Sequence, residues 1–254
     1  MMRYAAELAY LGTAYHGWQI QENANSVQQE IEKALRILLS EQTGVTGCGR
    51  TDTGVHASHY VMHFDSKMEL SDTKKFVFQL NSLLPRDIAI SVIRKVSPEF
   101  HARFSCYQRV YEYYITAKKN PFLLDTAYLF PHQLNINDMN QAAQLLLGRK
   151  DFKAFSKGRT QVFTYFCEVS EAHWTKKEND DLLVFQIKAD RFLRNMVRAI
   201  VGTLLEVGLG KMTFSQMEQV IINQNRSLAG ASVKAHGLCL KEVNYKWEEF
   251  LIHE

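Results

Sequence analysis

Tyr4, Ala6, Leu8 and Tyr10 alternate with Arg3, Ala5, Glu7 and Ala9, a period of two that predicts a first strand. From Asn25 the period changes. Val27, Ile31, Leu35 and Leu38 fall on one helical face, and Ser26 with Gln29 three residues on has the spacing of a capping box. A glycine-rich connection over residues 44–54 leads to a strand at 57–64, then a helix at 72–83 stopped before Pro85. Strands are expected at 88–96 and 110–117, the second dense in aromatic residues.

Pro121 and Pro131 bracket a junction, beyond which the pattern resumes with a helix at 137–147 and strands at 161–174 and 182–190. A strong helix is expected from Arg191 to Val207, ending at Gly208, then a shorter one at 215–223 and a strand at 237–245. The expected organisation is an α+β half over residues 1–120 and a second over 121–254, without a readable sequence repeat.

Composition narrows the class. With 254 residues, 46% hydrophobic and 22% charged, the chain reads as globular and not as a disordered or collagen-like one. A net charge of +3 is too small to announce a nucleic-acid partner, so local clustering would have to. The best apolar run, residues 199–210, carries Glu206 and is far shorter than a bilayer span of ~20 residues. Arg3 and Glu7 stand where a signal peptide would be apolar, so a cytoplasmic protein is expected.

The four cysteines are scattered without a C-x-x-C pair, and buried or half-buried thiols are expected. His56, His59 and His63 would suit a metal on a helix. In the strand read here His59 and His63 share a face and His56 does not, so no metal site is assigned.

Three segments carry candidate chemistry. In residues 47–57, glycines 47, 49 and 54 surround Asp52, which is flanked by Thr51 and Thr53 and preceded by Arg50. Glycine lets such a loop turn sharply or approach a ligand closely. Asp52-Thr53-Gly54 also spells the aspartic-protease triplet, but that chemistry needs two carboxylates and the chain has one copy. In the second segment Arg109, Tyr111 and Tyr113 share one strand face, where a phenol can stack on a base, while Tyr114 is expected in the core. In the third, Arg191, Arg194 and Arg198 at i, i+3 and i+7 would form a basic helical stripe, fit for phosphates or for pairing with a buried carboxylate.

Residues 49–57, Gly-Arg-Thr-Asp-Thr-Gly-Val-His-Ala, resemble the signature loop of the tRNA pseudouridine synthase A family. Residues 14–19, 81–85, 100–104, 151–155, 196–198 and 236–238 resemble further motifs of it, in order along the chain. The resemblance implies the pseudouridine synthase fold: two similar α/β halves with mixed, largely antiparallel sheets around a central RNA-binding cleft. It implies isomerisation of uridine to pseudouridine in the anticodon stem-loop of tRNA, by a homodimer, without a cofactor, metal, DNA or membrane partner. Residue by residue, it makes Asp52 the catalytic nucleophile or base and Arg50 the side chain that enters the RNA as the uridine flips out. Tyr111 would stack on the flipped base, and Arg198 would be the charge partner that offsets the cost of burying a carboxylate. Lys234 stands where many family members carry proline. A non-catalytic RNA-binding or chaperone protein is the alternative.

Overall fold

A computed structural model describes residues 1–157, 163–177 and 181–252. The chain divides into two compact units, one of residues 1–107 with 240–254 and one of residues 108–239. Each unit combines strands and helices, as the expected α+β fold class has it.

The first unit is built on β1 (Met2–Tyr10), which pairs antiparallel with both β3 (His56–Ser66) and β4 (Ile88–Val96). The register sets Tyr4 opposite Phe64, Ala6 opposite Met62 and Leu8 opposite Ile90. Ala5, the polar-phase residue of the predicted alternation, is as buried as Tyr4, its small side chain lying between the longer His63 and Arg94 opposite it on the flanking strands. The three-residue β2 (Val45–Gly47) lies on β3, inside the segment read as a connection. Helices α1 (Val27–Leu39) and α2 (Thr73–Leu83) pack on one another, and α2 also packs on β4.

The N-cap of α1 is Ser26, whose hydroxyl accepts from the Gln29 amide at 3.3 Å. Its buried stripe is Val27, Ile31, Ala34, Leu35 and Leu39, with Leu38 only half-buried. Successive steps of four residues carry the stripe to position 39, which corrects the assignment of Leu38. Asp72 caps α2 through the Lys75 amide, and the helix stops before Pro85 as expected.

In the second unit β5 (Gln108–Thr116), β9 (Leu182–Ala189), β8 (Phe166–Lys177) and β7 (Gly148–Asp151) follow one another antiparallel, with β6 (Tyr128–Leu129) parallel to β5. The strand expected from residue 161 begins at Phe166, and residues 161 and 162 lie outside the described ones. Helix α3 (Ile136–Ala143) tightens into a 3-10 turn at Gln144–Leu146 and packs on α4 (Met196–Gly208) and β8; α5 (Phe214–Asn223) packs on α3 and α4. Gly208 allows the α3 contact, since a Cβ there would lie 2.5 Å from the sulfur of Met139. The last strand, β10 (Leu238–Asn244), returns the chain to the first unit at Leu240.

One expectation fails in a way that matters. The helix read from Arg191 begins only at Met196. Its N-cap Asn195 has φ +67°, a left-handed conformation that interrupts helical phase. Arg191 and Arg194 therefore lie outside the helix, and the three-arginine stripe does not exist. Among the described residues no helix is long and apolar enough to cross a membrane.

Candidate active site

Between β2 and β3 the chain runs through the glycine-bounded loop that carries Arg50 and Asp52. Arg50 is exposed and Asp52 half-buried, between the buried side chains of Cys48 and Thr51 on one side and Val55 on the other. The loop is gripped at each step. The Cys48 amide donates to Val61 O at 2.8 Å, and the Tyr60 hydroxyl to Gly49 O at 2.5 Å. The Tyr10 and Thr51 hydroxyls share a hydrogen bond of 2.9 Å. The Gly54 amide donates to Tyr15 O at 3.3 Å, and the Val55 amide closes the turn onto Asp52 O at 3.1 Å. Gly54 has φ +78°, which a side chain would resist.

Behind this loop runs the segment from Tyr10 to Trp18, so close that only glycine fits at two points. A Cβ at Gly12 would lie 2.0 Å from Val55 O, and one at Gly17, where φ is +94°, would lie 2.3 Å from Thr51 O. The segment is fixed in turn. Trp18 stacks on Tyr60 at 4.1 Å, the Tyr15 hydroxyl donates to Asp87 Oδ1 at 2.6 Å, and the Leu11 amide donates to Asp87 O. Burial, reinforced by Asp87, pushes the Tyr15 phenol well above its ordinary range, so it remains a donor. Asn81 locks α2 to β4 through two 2.8 Å bonds to the Ile90 main chain. The motifs at 14–19 and 81–85 thereby acquire a structural task.

The three histidines of β3 each accept a backbone amide at Nδ1: His56 from Gly12 at 2.9 Å, His59 from Val243 at 3.2 Å and His63 from Ala102 at 3.1 Å. Among the described residues no group of three His, Cys, Asp or Glu could hold a metal ion. Cys48, Cys106 and Cys167 are buried and Cys239 half-buried. Burial pushes the Cys167 thiol up to about 12, which removes it as a nucleophile at neutral pH.

The second unit carries Tyr111 and Arg198. Tyr111, on β5 opposite Ile187, is half-buried with its ring edge-on to Phe192 at 5.0 Å. Arg109 Nη1 donates to Asp190 O at 2.8 Å. Tyr113 is the fully buried ring of this strand and Tyr114 is half-buried, with its hydroxyl donating to Glu112, which reverses the expected core choice. Desolvation pushes the Tyr113 phenol far up, and its hydroxyl donates to Lys234 O at 2.8 Å.

Arg198, in the first turn of α4, is clamped from two directions. Its Nε donates to Val233 O at 2.8 Å, and its own carbonyl accepts the Val233 amide at 3.2 Å. Segment 229–233 lies flush on the helix because Gly202 has no side chain; a Cβ there would sit 1.8 Å from Ala231 O. Asn195 Nδ2 donates to Ser232 Oγ at 2.7 Å, which ties the helix start to the same segment. Lys234 has φ −59° and ψ 146°, so the backbone adopts proline's geometry without the ring. Lys234→Pro is expected to raise stability by about 0.4–1 kcal/mol, read as a higher midpoint in thermal unfolding. A lower midpoint would mean that the loop needs the lysine.

Arg50 and Asp52 thus share one braced loop in the first unit, while Tyr111 and Arg198 stand on β5 and α4 of the second. Sequence reasoning placed Tyr10 and Tyr60 in strands and Gly17 in a motif without giving them, or Gly12, a part in holding the loop, and the glycines interleaved with aromatics after the first strand were the available signal.

The model of the tRNA pseudouridine synthase family matches residues 6–105 and 142–246. A tRNA pseudouridine synthase A of Parabacteroides distasonis is 46% identical over 254 residues, covering all of both chains. One of Bacteroides thetaiotaomicron is 49% identical over 98% of this chain and 93% of its own. One of Streptococcus thermophilus is 41% identical over 97% of this chain and all of its own. With matches along nearly its whole length and the signature loop held in a built setting, the chain belongs to the tRNA pseudouridine synthase family.

Proposed function

We propose that this protein isomerises uridine to pseudouridine in the anticodon stem-loop of tRNA, with Asp52 as the catalytic carboxylate. The observation that carries this reading is the Asp52 loop: a single acid presented half-buried by backbone that is hydrogen-bonded on both sides and backed by a glycine-only contact. Full-length relatives named tRNA pseudouridine synthase A support the same substrate class.

The reaction breaks the C1′–N1 bond of uridine, turns the detached base and forms a C1′–C5 bond; N1 gains a proton and C5 loses one. Atoms and electrons balance without oxidant, reductant or water, so one carboxylate suffices, attacking C1′ or taking the C2′ proton. Uridine within a stacked arm is out of reach until it is extruded, at a cost of a few kcal/mol. Exposed Arg50 takes the vacated place in the RNA, and Tyr111 offers its ring to the flipped base, stacking being worth roughly 1–3 kcal/mol. Arg198, oriented by its bonds to Val233, is the charge partner of the carboxylate. A cytoplasmic homodimer completes the proposal, with tRNA lying across both subunits.

Mapping pseudouridine in tRNA incubated with the purified protein tests this. Product confined to the anticodon arm is expected. Tight binding without product would favour a non-catalytic RNA chaperone, and product elsewhere would correct the target.

A further inference from the structure

We propose that the turn at residues 101–105 is a second contact for the substrate RNA, apart from the reacting uridine, in which Phe104 stacks on an unpaired base and Arg103 meets a flanking phosphate. The proposal rests on the tRNA reading above.

The turn is fixed from beneath. The Phe104 and Ser105 amides donate to His101 O at 3.0 and 2.8 Å, and the His101 amide donates to Ser105 Oγ at 3.0 Å. His101 Nδ1 accepts from the Arg103 and Phe104 amides at 3.2 and 3.3 Å. Ala102 is fully buried, its amide held by His63 and its carbonyl accepting the Tyr245 hydroxyl at 2.5 Å. Arg3 Nη1 donates to Pro98 O and Phe100 O, and Phe100 is buried among Tyr245, Trp247 and Phe250.

A turn built this firmly nevertheless turns a large ring outward. Phe104 is 75% exposed, so burial does not account for a phenylalanine there. Its ring centroid lies 4.4 Å from that of His101, the two rings tilted by 36°, and the Arg103 guanidinium sits over it at 5.5 Å from the centroid. Tyr107, 54% exposed, follows two residues after the turn. One rigid ring next to a cation is what an unpaired nucleotide requires: a face for the base and a charge for its phosphate. A protein partner would call for a broader apolar patch, whereas the exposed part of this turn is one ring beside a charge.

The test is binding of an anticodon-arm RNA, with single-turnover pseudouridine formation measured in parallel on the same variants. Phe104→Ala is expected to weaken binding by roughly tenfold while the rate at saturating RNA stays within about twofold of the parent, and Phe104→Trp to restore affinity. Arg103→Gln is expected to lower the slope of log affinity against log salt by about one ion. Unchanged affinity in Phe104→Ala would overturn the proposal. So would a weakened complex whose cause is loss of self-association in sedimentation, which would assign the ring to a second copy of the chain. Parent protein that binds the RNA, with the Phe104 dependence, but forms no pseudouridine would sink the catalytic reading and leave this contact standing. Parent protein that does not bind the RNA would end both.

Discussion

Asp52→Asn is expected to lower pseudouridine formation by at least about 10³-fold while leaving tRNA affinity within about threefold of the parent. Asparagine has the shape of aspartate but can neither attack C1′ nor hold the C2′ proton, and a positioned acid–base group alone contributes roughly 10²–10⁴-fold. The loop should survive the change. Its bonds to Tyr15, Val61 and Tyr60 come from main-chain atoms, Thr51 adds its hydroxyl bond to Tyr10, and the Val55 amide closes the turn onto the carbonyl oxygen of residue 52. Single-turnover measurement with saturating tRNA, beside a binding titration, separates the effects. Residual turnover within tenfold of the parent would remove Asp52 from the chemistry, and a matching loss of affinity would make its role one of binding.

Gly17→Ala, by contrast, acts at one remove from the reacting atoms. The added methyl would stand 2.3 Å from Thr51 O, a backbone atom next to Asp52, in a residue already at φ +94°. Neither atom is the far end of a flexible side chain, so the segment and the loop must part. A misplacement of about 1 Å costs on the order of 10²-fold in rate, and the strained backbone adds about 1–3 kcal/mol of destabilisation. The expected result is a drop in kcat far larger than any rise in KM, together with a lower unfolding midpoint. Gly148→Ala is the control: φ is +86° there too, but nothing lies within 4 Å of the new atom, so stability should fall while kcat holds. Equal kcat in Gly17→Ala and the parent would show that this contact does not set the loop.

The contrast between these glycines marks what a sequence can convey. The Asp52 loop was readable because acid, threonines and glycines are adjacent in the chain, and the strand β1 and helix α2 because their periods and stops are local. What stayed hidden depends on partners far away in sequence. Nothing near Gly17 announces that Thr51 will lie against it, and nothing near Arg191 announces that Asn195 will adopt a left-handed turn secured by Ser232. Phe192 and Leu193 extend the apolar helical spacing upstream from Met196, yet the helix starts after the left-handed Asn195, which is bonded to Ser232. The choice between Tyr113 and Tyr114 was similarly closed to local reasoning, since the Tyr113 ring packs where Gly237 has no side chain and a Cβ would lie 2.7 Å from it.

The imidazoles of β3 have a bearing on the protein in acid. A ring nitrogen that accepts an amide cannot carry a proton, so His63 keeps its bond to the Ala102 amide only as the neutral ring with hydrogen on Nε2. For His63, burial together with the cation Arg3 lowers the affinity for a proton to about 4 in the folded chain, against an ordinary 6.5. The unfolded chain therefore takes up a proton first as pH falls from 6.5 towards 4, and folding loses stability across that window and regains it above. Acid would thus weaken the fold that holds Ala102 while the folded His63 ring itself stays neutral down to about 4.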